Sequence, residues 1–209
     1  MNKDERNEIK ELLKERNLLL ERYVKSCEKS DNVNNSIDIN IIYKNARNNI
    51  SVSIYDFDKK LLEYVKESPV GEWLMQIKGM TFDIAAGLLA YFDIENKECS
   101  AQFIKYSGSD NCSSPHNIDV RNLIDKLDEN FKSQPDSLYY KCKMDKYIKE
   151  LTEGNTEESS KIKADRYMRK IFVSHLFEEM YREAHNGKPP KRHNDRNCII
   201  IEPEVPYTK

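Results

Sequence analysis

The chain has 209 residues and a formal net charge of −2, so no polyanion partner is announced by bulk charge and any such surface must come from local clustering. With 33% charged and 38% hydrophobic residues and only six glycines, the composition disfavours a turn-rich β-sandwich and fits a mainly α helical bundle with solvated faces. The five cysteines (Cys27, Cys99, Cys112, Cys142, Cys198) are odd in number and scattered, the charged start lacks a signal-peptide core, and no apolar run approaches the ~20 residues of a membrane span; these features point away from a disulfide frame and a membrane partner, towards a cytoplasmic protein.

Residues 4–29 are expected to form one long helix. Ile9, Leu12, Leu13, Leu19, Leu20, Tyr23 and Cys27 recur at helical spacing, with Lys10, Lys14, Glu21 and Lys25 opposite. Such a stripe is either a packing face or a homodimer contact. The polar stretch 30–36 reads as a linker, which divides the chain into an N-terminal helical arm (1–36) and a helical domain (37–209). Residues 37–54 fit two patterns: Ile37, Ile39 and Ile41 alternate as a strand would, whereas Ile39, Ile42, Tyr43, Ala46 and Ile50 fit a helix. The helical reading is taken because the rest of the chain is helical. A further helix is predicted over 56–66, and Ser68-Pro69 stops it and starts the next.

The central stretch is 70–92. Trp73, Leu74 and Ile77 form one stripe, Lys78-Gly79-Met80 breaks it, and Ala85, Leu88 and Leu89 form a second. Gly79 suits the left-handed turn, Thr81 is the expected N-cap of the second helix, and Asp83 falls in its first turn. This arrangement resembles a helix-hairpin-helix, a module that presents loop N–H groups and a helix N-terminus to nucleic-acid backbone. Here the apolar residue after the first glycine is Met80, and Thr81 replaces the second glycine, so the hairpin is degenerate. A β-branched residue obstructs close backbone approach, and Asp83 competes with phosphate for the helix end.

Beyond the hairpin, a short helix is expected over 100–106, capped by Ser100, with Phe103, Ile104 and Tyr106 as its apolar face; Gly108 ends it. A turn-rich loop follows at 109–117. Three further helices are expected: 117–131 on Val120, Leu123, Ile124 and Leu127; 139–151 on Tyr140, Met144 and Ile148; and 159–185 on Met168, Ile171, Phe172, His175, Leu176 and Met180. Lys188-Pro189-Pro190 ends helicity and leaves an extended C-terminal tail.

The succession Trp73, Lys78-Gly79-Met80, Ala85-Ala86-Gly87-Leu88-Leu89, Asp93-Ile94, Tyr106-Ser107-Gly108, then Ser133 to Tyr139, Ala164-Asp165-Arg166 and Pro189-Pro190, is similar to the C-terminal domain of bridge-RNA-guided insertion-sequence transposases and their phage and mobile-element relatives. The resemblance covers about 50–207 and leaves out that family's N-terminal nuclease-like domain. It implies a nucleic-acid-associated role. It also implies a serine nucleophile in the loop after Tyr106-Ser107-Gly108, where Ser113 and Ser114 are the catalytic candidates. No catalytic centre beyond these is expected. No cofactor or metal is expected either, because the histidines and Cys198 lack metal-ligand spacing and there is no phosphate-binding glycine loop. His175, on an apolar stripe, is expected to be a hydrogen-bonded core residue.

The candidate nucleic-acid contacts are Lys78, Gly79, Met80 and Thr81 at the hairpin tip, Lys105, and Arg166, Arg169 and Lys170 on the late helix, with Lys161 and Lys163 beside them. Three functions follow, in order of preference: non-enzymatic nucleic-acid binding, binding to a nucleic-acid-processing protein as inhibitor or adaptor, and a stripped serine transposase. The decisive geometry is whether the tip faces solvent and whether the cations of the late helix are free.

Overall fold

A computed structural model describes residues 1–31, 37–95, 97–110, 115–190 and 201–207, with side chains described outside 29–31 and 37–40. The regular structure of the described residues is helical throughout: α1 (Lys3–Asp31), α2 (Ile37–Glu67), α3 (Pro69–Met75), α4 (Phe82–Tyr91), α5 (Ser100–Tyr106), α6 (Ile118–Lys132), α7 (Leu138–Thr152) and α8 (Glu157–Ala184). The expected mainly α bundle is what forms.

α4 is the hub. Every residue from Asp83 to Ala90 is buried, as a helix that is apolar all round requires, and α1, α2, α3 and α6 pack on it. α1 and α2 form an antiparallel pair, with Glu8 against Tyr64 and Arg16 bonded to Asp58. The α1 stripe Ile9, Leu12 and Leu13 is buried in the common core. The expected arm boundary at 36 therefore separates two helices that share one core. On the far side, α8 packs on α7 and α5, and the aromatic rings of Phe103, Phe131, Tyr139, Phe172 and Phe177 interlock between them.

α2 settles the ambiguous stretch as helix, continuous through Glu67 and without the break expected near 55. Ile50, Ile54, Phe57 and Leu61 lie three or four apart and run along its inner face. Ser51 and Ser53 bond their hydroxyls back to the carbonyls of Arg47 and Asn49, which lets serine sit inside a helix.

Side-chain caps form at α3, α6, α7 and α8, and the two expected from the sequence, Thr81 and Ser100, are not among them. Ser68, Asn117, Ser137 and Thr156 accept hydrogen bonds from backbone N–H groups at the starts of α3, α6, α7 and α8. Thr81 occupies the N-cap position of α4, yet its hydroxyl makes no cap bond. Cys99, not Ser100, takes that position before α5, and its side chain makes no cap bond there.

Candidate nucleic-acid interface

The hairpin forms where the sequence places it. α3 and α4 are joined by a turn in which the Met80 N–H donates to the Ile77 carbonyl (3.0 Å) and Gly79 takes φ +89°. Lys78 and Thr81 are exposed, Gly79 is half-buried and Met80 is buried. The turn rests on the C-terminal end of α6: Asn130 Nδ2 donates to the Gly79 carbonyl at 3.0 Å, and a Cβ on Gly79 would lie 3.2 Å from the Phe131 ring.

The N-terminus of α4 is where the helix dipole and unpaired N–H groups would receive a phosphate. Here a carboxylate already holds that end. Asp83 is buried and accepts from Thr81 Oγ1 at 2.5 Å and from Lys126 Nζ at 2.6 Å, with the Arg16 guanidinium 3.6 Å away. Burial pushes its carboxyl up, but the bonds from Lys126 and Thr81 and the charges of Lys126 and Arg16 outweigh that and hold it below the ordinary carboxylate value.

The basic face of α8 is matched by carboxylates. Arg169 Nη2 lies 2.8 Å from Asp125 and 3.1 Å from Asp128, both on α6, and its side chain is only 11% exposed. Lys170 bonds Asp110 at 2.8 Å, and this bond, with its charge and that of Arg166, lowers the Asp110 carboxyl. Lys163 bridges Glu150 and Asn155 at 2.7 and 2.8 Å. Beneath them Lys143 joins Asp128 (3.0 Å) to Asp165. Of the candidates, Lys78, Thr81 and Lys105 are the exposed ones; Arg166 is half-buried among the groups around Asp110. Lys161, beside them, is exposed as well.

The helix α6 is expected from the sequence, but the part its carboxylates play against α8 is not. Its Asp128 falls within the stripe Ile124, Leu127 and Phe131, and a carboxylate there must find a cation, which was the available signal.

Ser113 and Ser114 lie outside the described residues. Among their described neighbours, Ser107 and Ser109 share a buried hydroxyl bond of 2.8 Å, and the Asn117 N–H donates to the Tyr106 carbonyl at 2.9 Å. Arg121, the nearest guanidinium in sequence, bonds Asp125 and the Gly108 carbonyl. Among the described residues no group of three or more histidines, cysteines or carboxylates is placed to hold a metal ion. No helix is long and apolar enough to cross a membrane among them.

His175 is buried and bonded at both nitrogens: Nε2 donates to the Ile201 carbonyl (2.8 Å), which leaves Nδ1 to accept from the Tyr139 hydroxyl (3.1 Å). Burial lowers its pKa from 6.5, against smaller raising effects of the Ile201 bond and the Glu178 charge. The unfolded chain then binds this proton first, so the contribution is complete above about pH 6.5 and is lost as pH falls through the lower folded value. Urea midpoints measured between pH 7.5 and 5 are expected to fall in wild type and to fall less in His175→Gln; equal slopes would refute the assignment.

No protein family, curated protein or solved structure matches this chain.

Proposed function

We propose that the chain is a non-enzymatic adaptor or inhibitor, of phage or mobile-element type, that engages a nucleic-acid-processing protein rather than the polymer itself. One observation carries the reading: the groups that would grip phosphate already have carboxylate partners, Asp83 at the α4 N-terminus and Asp125 and Asp128 on the nearly buried Arg169 of α8, with Lys170 paired to Asp110 at the surface. A helical body that has lost phosphate affinity keeps its shape for protein partners. The resemblance to the transposase domain supports the setting, inside the cell and near nucleic acid.

Nucleic-acid binding is the second reading, favoured by the exposure of Lys78 and Lys105 and by the left-handed Gly79 turn. Fluorescence anisotropy with mixed DNA and RNA, run from low to physiological salt, separates the two. The adaptor reading expects no binding tighter than the non-specific range of roughly 10⁻⁴–10⁻⁶ M at physiological salt. Submicromolar binding with a steep salt slope, reduced by about one for each of Lys78→Glu and Lys105→Glu, would overturn it.

A homodimer through the N-terminal helices belongs to the same reading. The first half of the α1 stripe (Ile9, Leu12, Leu13) is used in the core and Leu19, Leu20, Tyr23 and Cys27 are half-buried, so the more open face is on α2: Ile41, Asn45, Asn48, Val52 and Tyr55 are exposed at alternating four- and three-residue spacing, the pattern of a coiled-coil seam. Light scattering is expected to return a dimer for wild type and a monomer for Val52→Lys; a monomeric wild type removes this part of the proposal.

A further inference from the structure

The segment 201–207 is extended, carries Pro203 and Pro206, and lies across α3, the start of α7 and α8. Its residues alternate. Val205 is buried and Tyr207 packs on the core, whereas Glu202 and Pro206 face solvent. Two ring N–H groups hold its backbone: Trp73 Nε1 donates to the Val205 carbonyl at 3.0 Å, and His175 Nε2 to the Ile201 carbonyl at 2.8 Å. The Ser137 hydroxyl donates to Glu204 at 3.3 Å. Tyr207 stacks on Trp73 with centroids 6.3 Å apart, lies under the Arg182 guanidinium at 4.7 Å, and donates its hydroxyl to Glu178 at 3.0 Å.

This is the chemistry by which aromatic grooves take proline-bounded extended peptides. Donors read backbone carbonyls, pockets take alternate side chains, and proline fixes the extended form before docking, so little entropy is lost. Trp73 is wholly buried and His175 nearly so with the tail in place, so an emptied groove would open the faces of Trp73, Tyr139 and His175 to water. The groove therefore favours exchange of one extended strand for another over vacancy.

We propose that this groove is a docking site for a linear segment of a partner protein, extended, with a Pro-x-x-Pro core, a β-branched residue before the second proline and a tyrosine after it, and that the chain's own tail occupies it in cis as an autoinhibitory contact. The inference goes beyond the adaptor reading, because it holds whichever surface of the helical body meets a partner.

Trp73 is the chain's single tryptophan, so its emission reports tail docking directly. The probe is a fluorescein-labelled heptapeptide of sequence Ile-Glu-Pro-Glu-Val-Pro-Tyr, titrated against the full-length wild type and full-length Tyr207→Ala. The variant weakens the tail, so it is expected to bind the probe about tenfold tighter than wild type, as removal of an internal competitor requires. A probe with aspartate in place of its valine is expected not to bind. If Tyr207→Ala is too unstable, hydrogen exchange on wild type serves instead, with amide exchange in 201–207 expected to accelerate under excess probe. Failure of the probe to bind the variant while Trp73 emission shows the tail released, or unchanged exchange in wild type under saturating probe, would make the tail a fixed structural strap and overturn the proposal. A doubled mass by light scattering that the probe reverses would assign the groove to the tail of a second copy, and would overturn the assignment to a different partner.

Discussion

Gly71→Ala is expected to lower stability by about 3 kcal/mol, at the upper end of what overpacking does, read as a fall in the urea midpoint at unchanged m-value. A Cβ at this position would lie 2.0 Å from the Val65 carbonyl oxygen and 2.9 Å from its carbon. Both atoms are backbone at the end of α2, so no rotamer relieves the clash and α3 must move off α2. The displaced helix carries Val70, Trp73 and Leu74, all fully buried, and Trp73 also holds the tail. Alanine's better helix propensity returns about 1 kcal/mol, too little to compensate. Gly87→Ala supplies the contrast: its Cβ would meet the Leu123 side chain at 2.6 Å, and that half-buried side chain can swing aside. The expected order is therefore Gly71→Ala well below Gly87→Ala. An unchanged midpoint for Gly71→Ala would refute the close approach of α3 to α2.

The helices were legible because their signals are local. Spacing alone locates α6, α7 and α8 to within one or two residues, and Gly79 marks the hairpin turn because only a left-handed residue fits it. What spacing does not encode is partnership. The stripe of α1 reads as a packing face or a dimer seam, and only the position of α4 shows that Ile9, Leu12 and Leu13 face the core. Likewise Thr81 is a good cap by residue type, but Asp83 two residues on captures its hydroxyl at 2.5 Å. A local preference lost to a stronger acceptor nearby.

The candidate interface was legible as a list of cations and opaque as a surface. Lys163, Arg166 and Lys170 share one helical face, as their spacing requires, but whether such a face is free depends on carboxylates 13 to 60 residues away in sequence. The tail shows the converse. Proline spacing announces an extended segment, yet its seat on Trp73 joins positions 132 residues apart, which no local pattern reveals.

Asp128→Ala is expected to lower stability by on the order of 3–5 kcal/mol, the range for removing one member of a buried ion network. Asp128 is 2% exposed and takes a bond from Lys143 at 3.0 Å and from Arg169 at 3.1 Å, so its loss leaves two nearly buried cations short of a partner. Asp165 and Asp125 retain part of each, which keeps the effect within that range. The double variant Asp128→Leu, Arg169→Leu is expected to recover much of the loss, since apolar residues of similar volume often replace a buried pair without penalty. Arg169 Nε, buried and without a hydrogen-bond partner, makes that replacement easier still. The double variant then separates folding from binding. If Arg169 is a structural cation, the stable double variant matches wild type in polyanion affinity at every salt concentration. If it is a phosphate contact, the same variant loses affinity and its salt slope shrinks by about one. A double variant no more stable than Asp128→Ala would show instead that the network's hydrogen bonds fix the packing of α6 on α8.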